Sequence, residues 1–412
     1  MQRSSTYAFF ALEDDGERFG VSNFVRTVVL GVLRWRSRLD YAIERLARRP
    51  VSGIDSAALE ILRCAFYELM EMRSPAYAVV SAAVETAGRT VPRAKSFCNA
   101  VLRAAAAANL ATILPDGDSL ETMAIKTAHP AWLLERWTKS FGRPRAIAMA
   151  RANQQLSYPD IVVNARNGTA QGEIESRLPT SRSTLVDHVV RLHESTAPLA
   201  DLIETGLAYP MDEGSALVAA IASSAGGPIL DLAAAPGGKS LYMTMQGAEV
   251  TSHDISLSRL QPLRSAGAAA FLGHAPRIVV GDGRIPCFRK PFRTVLVDAP
   301  CSATGTIRKS PEIKWRMDME TIEKFSAVQR DLLSVALTVT GEVCIYATCS
   351  LEPEENDSVV TTALEKNADF QRDDIARYAT AGALQWIEDG VLRLTPESGA
   401  DGFTAFALRR AR

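Results

Sequence analysis

The texture of the chain changes at residue 229, and that change limits what it can fold into. From there on, short β-rich runs alternate with helical ones, the pattern of a parallel sheet with crossover helices. Strands are expected at PILDLA, EVTSHDI, RIVVGD, TVLVDAP, EVCIYATC and FTAFALRR, with helices between them, including an amphipathic run over residues 319–337. Upstream, over residues 22–108, apolar residues recur at spacings of three and four in FVRTVVLGVLRW, DYAIERLARR, ALEILRCAFYELMEM and SFCNAVLRAAAAANL, which predicts a helical domain. Pro50, Pro75 and Pro92 fall between these stretches, where they end helices without breaking one. ILPDGDS, residues 113–119, reads as a linker. The next ninety or so residues mix the helical HPAWLLERW, a strand-like DIVVNARN and a turn-rich stretch. The expected division is therefore a helical domain over 1–118, a small mixed domain over 119–209 and an α/β domain over 210–412.

At 412 residues the chain exceeds what one core usually holds, and its 47% hydrophobic and 23% charged content is ordinary for globular domains. A formal net charge of -1 means that any nucleic-acid surface must be local. The best candidate runs from Arg34 to Arg49, where Arg34, Arg36, Arg38, Arg45, Arg48 and Arg49 face only Asp40 and Glu44. A solvated helix face is the competing reading. No segment reaches the roughly 18 uncharged apolar residues of a membrane span, and the N-terminal MQRSSTYAFFALEDDGERFG has no basic start before a long apolar stretch. No membrane association and a cytoplasmic location are expected. The six cysteines form no CxxC pair, so reduced thiols and no metal are expected.

ILDLAAAPGGKS, residues 229–240, is a buried strand followed by a small-residue turn that opens a helix, and small residues let a ligand approach the backbone. Residues 233–240 also fit a relaxed phosphate loop, with TVLVDAP as its acidic strand. Ala233 and Pro236 leave fewer flexible amides to wrap phosphates than a glycine-rich loop offers. Asp254 ends the next strand, about twenty residues on, where a carboxylate accepts hydrogen bonds from a ribose diol. Asp282 ends the third strand, in position to meet an adenine amino group. Each aspartate alone also fits a turn-capping role.

DAPCSATG and YATCSLEPEEN each place a cysteine just past a strand, at the sheet edge where ligands of open α/β folds sit. Cys301 and Cys349 are thus expected in one crevice. Cys64 and Cys98 lie on helical apolar faces and Cys344 lies within a strand, which suits core packing. Cytosine carbon 5 is too weak a nucleophile to take a methyl group unaided, and thiolate addition at carbon 6 makes it enamine-like. The carbon 5 proton must then leave, which gives a second ionisable group a purpose. Asp298 can accept from the cytosine amine.

Together DLAAAPGGKS, DAPCSATG, YATCSLEPEEN and the closing DGFTAFALRR resemble the motifs of the RsmB/Sun (Nol1/Nop2/sun) family of RNA cytosine-5 methyltransferases, and the resemblance covers nearly the whole chain. It implies an all-α NusB-like RNA-binding domain at the N-terminus, matched by GVLRWRSRLDYAI, LEILRCAFYEL and FCNAVLR, plus an α/β class I (Rossmann-like) methyltransferase domain with a mostly parallel sheet. It implies Cys349 as nucleophile and Cys301 as the group that assists release. It also implies that Ala233, Ala234, Ala235, Pro236, Gly237, Gly238 and Lys239, with Asp254, Asp282 and Asp298, bind S-adenosylmethionine. DNA cytosine methyltransferases attack through a Pro-Cys cysteine, which here would be Cys301, so the assignment rests on the family and not on spacing. The RNA implied is small-subunit ribosomal RNA, with tRNA as the alternative. The chain departs from the family at Phe292-Arg293, where Phe-Asp is usual, and at Met211-Asp212-Glu213-Gly214-Ser215, in place of Gln-Asp-x-x-Ser. An RNA-binding or assembly factor that has lost activity and a phosphate-loop nucleotide hydrolase remain alternative readings.

If the basic segment carries RNA, replacing Arg45, Arg48 and Arg49 with Ala weakens RNA binding, flattens its dependence on log salt by up to about three and leaves cofactor affinity intact. Filter binding across a salt series checks this, and equal slopes place the RNA surface elsewhere.

Overall fold

A computed structural model describes residues 23–193, 199–265, 268, 271–273, 277–285 and 287–411. The first twenty residues, on which the expected absence of a leader rests, lie outside them. The described residues form two compact units, one up to Gln155 joined by Ile307–Arg316, the other Leu156–Thr306 with Met317–Arg412.

The first unit is built from helices: α1 Asn23–Ala47, α2 Ser56–Met70, α3 Ala76–Thr90, α4 Lys95–Ala107, α5 Leu120–Lys126, α6 Ala131–Phe141 and α7 Arg143–Ala152. FVRTVVLGVLRW and DYAIERLARR belong to one 25-residue helix, since the residues joining them contain neither Pro nor Gly. Asp55 caps α2 by accepting from the amides of Ala57 and Ala58. Pro75 stands just before α3, and Pro92 lies between α3 and α4. Leu39, Ile43, Leu62, Phe66 and Leu102 are wholly buried in the core of these helices. The segment Ile307–Arg316 is held by main-chain acceptors of the same unit: Lys314 Nζ donates to the carbonyls of Arg34 (2.7 Å) and Ala128 (2.8 Å), and Trp315 Nε1 to that of Leu33 (2.7 Å).

These contacts divide the basic segment. Arg34 is drawn inward, donating to the Arg308 carbonyl at 2.6 Å, and burial lowers its pKa. Arg36 stacks on Trp315, while Arg38 stacks on Trp35 and pairs with Glu71 at 3.4 Å. Arg45, Arg48 and Arg49 are exposed at the helix end.

The second unit begins with a four-stranded antiparallel sheet, β1 Asp160–Val163, β2 Thr180–Arg182, β3 Val189–Leu192 and β4 Ala208–Pro210, in the order β2-β3-β1-β4, with α8 Ala170–Arg177 and α9 Leu199–Glu204. Only the first of these strands is apparent in the sequence pattern. After α10 Glu213–Ala225 comes the main sheet: β5 Ile229–Asp231, α11 Gly238–Met245, β6 Val250–Asp254, β7 Arg277–Val280, β8 Phe292–Asp298, α12 Met319–Val339, β9 Thr340–Thr348, α13 Asp357–Lys366, β10 Phe370–Asp373, β11 Ile387–Glu388, β12 Val391–Leu394 and β13 Phe403–Arg410. Its strand order is β11-β12-β13-β9-β8-β5-β6-β7, with β10 also on β13. The stretch from β7 to β9 is parallel, and β10 to β13 pair antiparallel.

Alternate residues of the central strands enter different cores, as the period of two requires. Ile229, Leu296, Val343, Ile345, Ala405 and Ala407 pack with α10 and α11, whereas Leu230, Val295, Val297, Cys344, Tyr346, Phe406 and Leu408 pack with α12 and α13. Val162, Val189 and Tyr209 of the antiparallel sheet join the first of these cores. No helix among the described residues is long and apolar enough to cross a membrane.

In the helical unit, Arg63 is 5% exposed and grips both oxygens of Asp40 at 2.7 and 2.8 Å, tying α2 to α1. Arg63→Met leaves that carboxylate without its partner and is expected to lower stability by about 2–3 kcal/mol. An unchanged denaturant midpoint contradicts a stabilising role for the pair.

Candidate active site

The site lies at the carboxyl ends of the parallel strands. Beyond β5 the chain is held by main-chain bonds to both neighbouring strands: Leu232 N donates to Leu296 O and Ala234 N to His253 O, each at 2.9 Å. The next amide, of Ala235, is taken by the Asp254 carboxylate at 3.0 Å, whose other oxygen accepts from Ser256 N at 2.9 Å. Asp254 is 5% exposed, so its charge sits against the loop and not in bulk water. In this loop Ala233, Ala235 and Gly238 are half-buried, Ala234 and Gly237 buried, and Pro236 exposed. Gly237 has φ +112°, a left-handed conformation, and a Cβ there would stand 2.7 Å from the Leu263 side chain. Helix α11 starts at the next residue.

Lys239, in the first turn of α11, donates to Asp298 Oδ2 at 2.5 Å and to Ser215 Oγ at 2.7 Å. Burial alone lowers its pKa, but the Asp298 carboxylate outweighs that and holds the ammonium charged. Ser240 turns inward, its hydroxyl donating to Asp231 Oδ2 at 2.7 Å and accepting from Ser252 at 2.7 Å. A phosphate loop needs this lysine for phosphates and this hydroxyl for a metal ion. Here both are bound to protein carboxylates, Lys239 to Asp298 and Ser240 to Asp231, which weighs against the hydrolase reading.

Asp231 escapes notice in the sequence because it is hidden inside the strand run. It is wholly buried, and burial pushes its carboxyl up to about 7 against the pull of Ser240 and Lys239. Asp282, two residues past β7, is bound at both oxygens by Arg284 of its own turn, at 2.7 to 3.2 Å. That guanidinium lowers its pKa to about 2. No hydrogen bond among the described residues joins Asp282 to Asp254 or Asp298.

The two cysteines do meet. Asp298 ends β8 opposite Ala347 of β9, and Ala299 N donates to Ala347 O at 2.9 Å. Three residues past Asp298 is Cys301, two past Ala347 is Cys349, and their sulfurs are 3.1 Å apart. Cys301 is buried and Cys349 partly exposed; Cys98 and Cys344 are buried, Cys64 half-buried and Cys287 exposed. The hydrogen bond to Cys349, then burial, push the Cys301 thiol well above its usual range, so Cys301 keeps its proton. Close backbone approach fixes the chain at Cys349: Gly305 N donates to Cys349 O at 2.9 Å and Gly402 N to Gly305 O at 2.8 Å. A Cβ on Gly305 would lie 2.3 Å from the Gly402 carbonyl oxygen.

The two departures from the family pattern are accommodated. Asp212 caps α10 through Gly214 N at 2.7 Å, which leaves Ser215 facing Lys239. Arg293 pairs with Glu342 at 3.2 Å.

Comparison with known proteins agrees with this architecture. The family model described as 16S rRNA methyltransferase RsmB/F matches residues 218–409, and that of the NusB family matches residues 6–107. Ribosomal RNA small subunit methyltransferase B of Citrobacter koseri is 31% identical over 394 residues, spanning 92% of this chain and 88% of that protein. The probable ribosomal RNA small subunit methyltransferase B of Bacillus subtilis is 25% identical, spanning 93% and 89%. Among solved structures, the crystal structure of PH0851 matches with a TM-score of 0.76 and 21% identity over 98% of this chain and 94% of that one. A methyltransferase homolog from Pyrococcus horikoshii matches with a TM-score of 0.57 and 23% identity over 72% and 100%. The structural likenesses establish the fold, and the sequence relatives meet the resemblance read from the motifs. The chain belongs to the RsmB/F family of 16S rRNA methyltransferases, with a NusB-family domain in its N-terminal part and S-adenosylmethionine as its cofactor.

Proposed function

We propose that the protein methylates carbon 5 of a cytosine in small-subunit ribosomal RNA, with Cys349 as nucleophile and Cys301 serving release. The observation that carries this reading is the 3.1 Å sulfur-to-sulfur contact at the ends of two adjacent parallel strands, with one thiol buried and the other open to the crevice. S-adenosylmethionine, when bound, supplies an electrophilic methyl group. The residues to hold it are Ala233, Ala234, Ala235, Pro236, Gly237, Gly238 and Lys239, with Asp254, Asp282 and Asp298. Their fit is supported by the tight small-residue turn, in which Gly237 takes a left-handed φ and packs so closely on Leu263 that no side chain fits, and by the carboxylate of Asp254 against the loop.

The Cys349 thiolate adds to carbon 6, and the electron pair of the carbon 5–carbon 6 double bond becomes available at carbon 5. Asp298 is the acceptor for the cytosine amine. After carbon 5 is alkylated its proton is removed, the double bond re-forms and the thiolate is expelled. Adduct formation turns the Cys349 sulfur into a neutral thioether. That removes the largest of the influences that hold Cys301 protonated; once Cys301 has passed its proton to another base, its thiolate, 3.1 Å from the Cys349 sulfur, takes the carbon 5 proton. The two thiols thus ionise in turn and never together. The exposed Arg45, Arg48 and Arg49 belong to the RNA-binding surface, and a target inside a helix is flipped out before reaction.

Asp254→Ala is expected to weaken cofactor affinity far more than RNA affinity, by about 1.5–3 kcal/mol, because a charge-assisted hydrogen bond to the ribose is lost together with the one to Ala235. Calorimetry reads both affinities, and an unchanged cofactor affinity refutes this role.

The cysteine roles predict opposite phenotypes. Cys349→Ala should bind both partners yet neither methylate nor form an adduct. Cys301→Ala should transfer methyl and stall, leaving a protein–RNA conjugate that survives denaturing electrophoresis. A conjugate from Cys349→Ala alone reverses the roles, and full activity in both variants removes the covalent mechanism.

A further inference from the structure

The two cysteine loops are joined behind the sulfurs by one buried carboxylate. Glu355 is 0% exposed. Its Oε1 accepts from Ser302 N at 2.8 Å and from Gln329 Nε2 at 3.0 Å; its Oε2 accepts from Ser350 Oγ at 2.5 Å and from the Ser302 hydroxyl. Ser302 follows Cys301 and Ser350 follows Cys349, and the two hydroxyls are themselves 3.1 Å apart. The residue before Cys301 is held as well, since Gln329 Nε2 also donates to Pro300 O at 2.9 Å. Gln329 is wholly buried on α12 and brings the bracing of a long helix to the loop. On the other side Asn356 Nδ2 donates to Ser350 O at 3.0 Å and to Glu352 O at 2.9 Å.

We infer that Glu355, with Gln329, is a positioning bracket that fixes Cys301 beside Cys349. The inference rests on the cysteine roles proposed above. Four donors converge on Glu355, an arrangement that stabilises a carboxylate against the burial that raises its pKa. An isolated buried carboxylate is too costly to keep for packing alone, whereas one shared between the two loops sets the distance between their sulfurs. Its charge acts on Cys301 in the same sense as Cys349 does. Near the pair, the Tyr346 hydroxyl donates to the Glu355 main-chain carbonyl at 2.6 Å, and Lys239 is held by Asp298 and Ser215. The Glu355 carboxylate on the Cys301 side makes the two thiols unequal.

The test is site-resolved alkylation of ligand-free protein with iodoacetamide at one mildly alkaline pH, in wild type, Glu355→Gln and Glu355→Ala. Cys349 should react about tenfold or more faster than Cys301 in wild type. Glu355→Gln keeps the volume and lets the two hydroxyls reverse direction; it should narrow that ratio to about threefold while buried Cys98 and Cys344 stay unlabelled. In turnover, Glu355→Ala should lose about a hundredfold in kcat with KM for RNA nearly kept, and Glu355→Gln should recover about a tenth of the wild-type rate. A wild-type alkylation ratio in Glu355→Gln overturns the bracket, as does equal labelling of the two cysteines in wild type; neither outcome depends on whether Glu355→Ala folds. The cysteine roles fail separately, by the absence of a conjugate from Cys301→Ala, and the alkylation ratio judges the bracket in either case.

Discussion

The in-register parallel pairing of β8 with β9 is the constraint on which the site depends. Because Asp298 lies opposite Ala347, both strands leave the sheet at one level, and the cysteines that follow bring their sulfurs to 3.1 Å. A slip of one residue would turn every side chain of one strand to the wrong core. Ile345 and Val343 on one face and Tyr346 and Cys344 on the other, all nearly or fully buried, make such a slip costly. The geometry of the chemistry is thereby secured by ordinary apolar packing several residues away.

On that scaffold the two thiols are brought side by side. Two thiolates 3.1 Å apart would repel strongly in a poorly solvated crevice, so the pair holds at most one negative charge. The hydrogen bond to Cys349, burial and Glu355 all disfavour it on Cys301. Lys239 answers Asp298 and senses Asp231. With Asp231 pushed up to about 7 by burial, the carboxylates gathered around this lysine need not all be ionised near neutral pH.

Much of this was legible in the sequence because period and turn chemistry are local. All six strands read from the pattern after residue 229 form, and Asp254, Cys301 and Cys349 stand at or just past strand ends, where the alternation places them. Of the strands that escape the pattern, Thr180–Arg182, Ala208–Pro210 and Ile387–Glu388 are two or three residues long and Val189–Leu192, Phe370–Asp373 and Val391–Leu394 four, too short to show a clear period. The incorporation of Ile307–Arg316 into the helical unit had no local signal either, since it depends on Lys314 and Trp315 reaching carbonyls some 280 residues away in sequence. Glu355 was visible only as part of a motif, because its partners Ser302 and Gln329 come from separate elements. The basic segment Arg34–Arg49 is not presented whole, because a tertiary contact takes Arg34, and Arg36 and Arg38 stack on tryptophans.

The central claim is that this crevice alkylates carbon 5 of cytosine in small-subunit ribosomal RNA. Its most direct test is bisulfite sequencing of small-subunit RNA after incubation of unmethylated RNA with the purified protein and S-adenosylmethionine. The account predicts a discrete cytosine that becomes resistant to conversion, and only when cofactor is present. Methyl incorporation without any protected cytosine, or protection confined to another class of RNA, would contradict it.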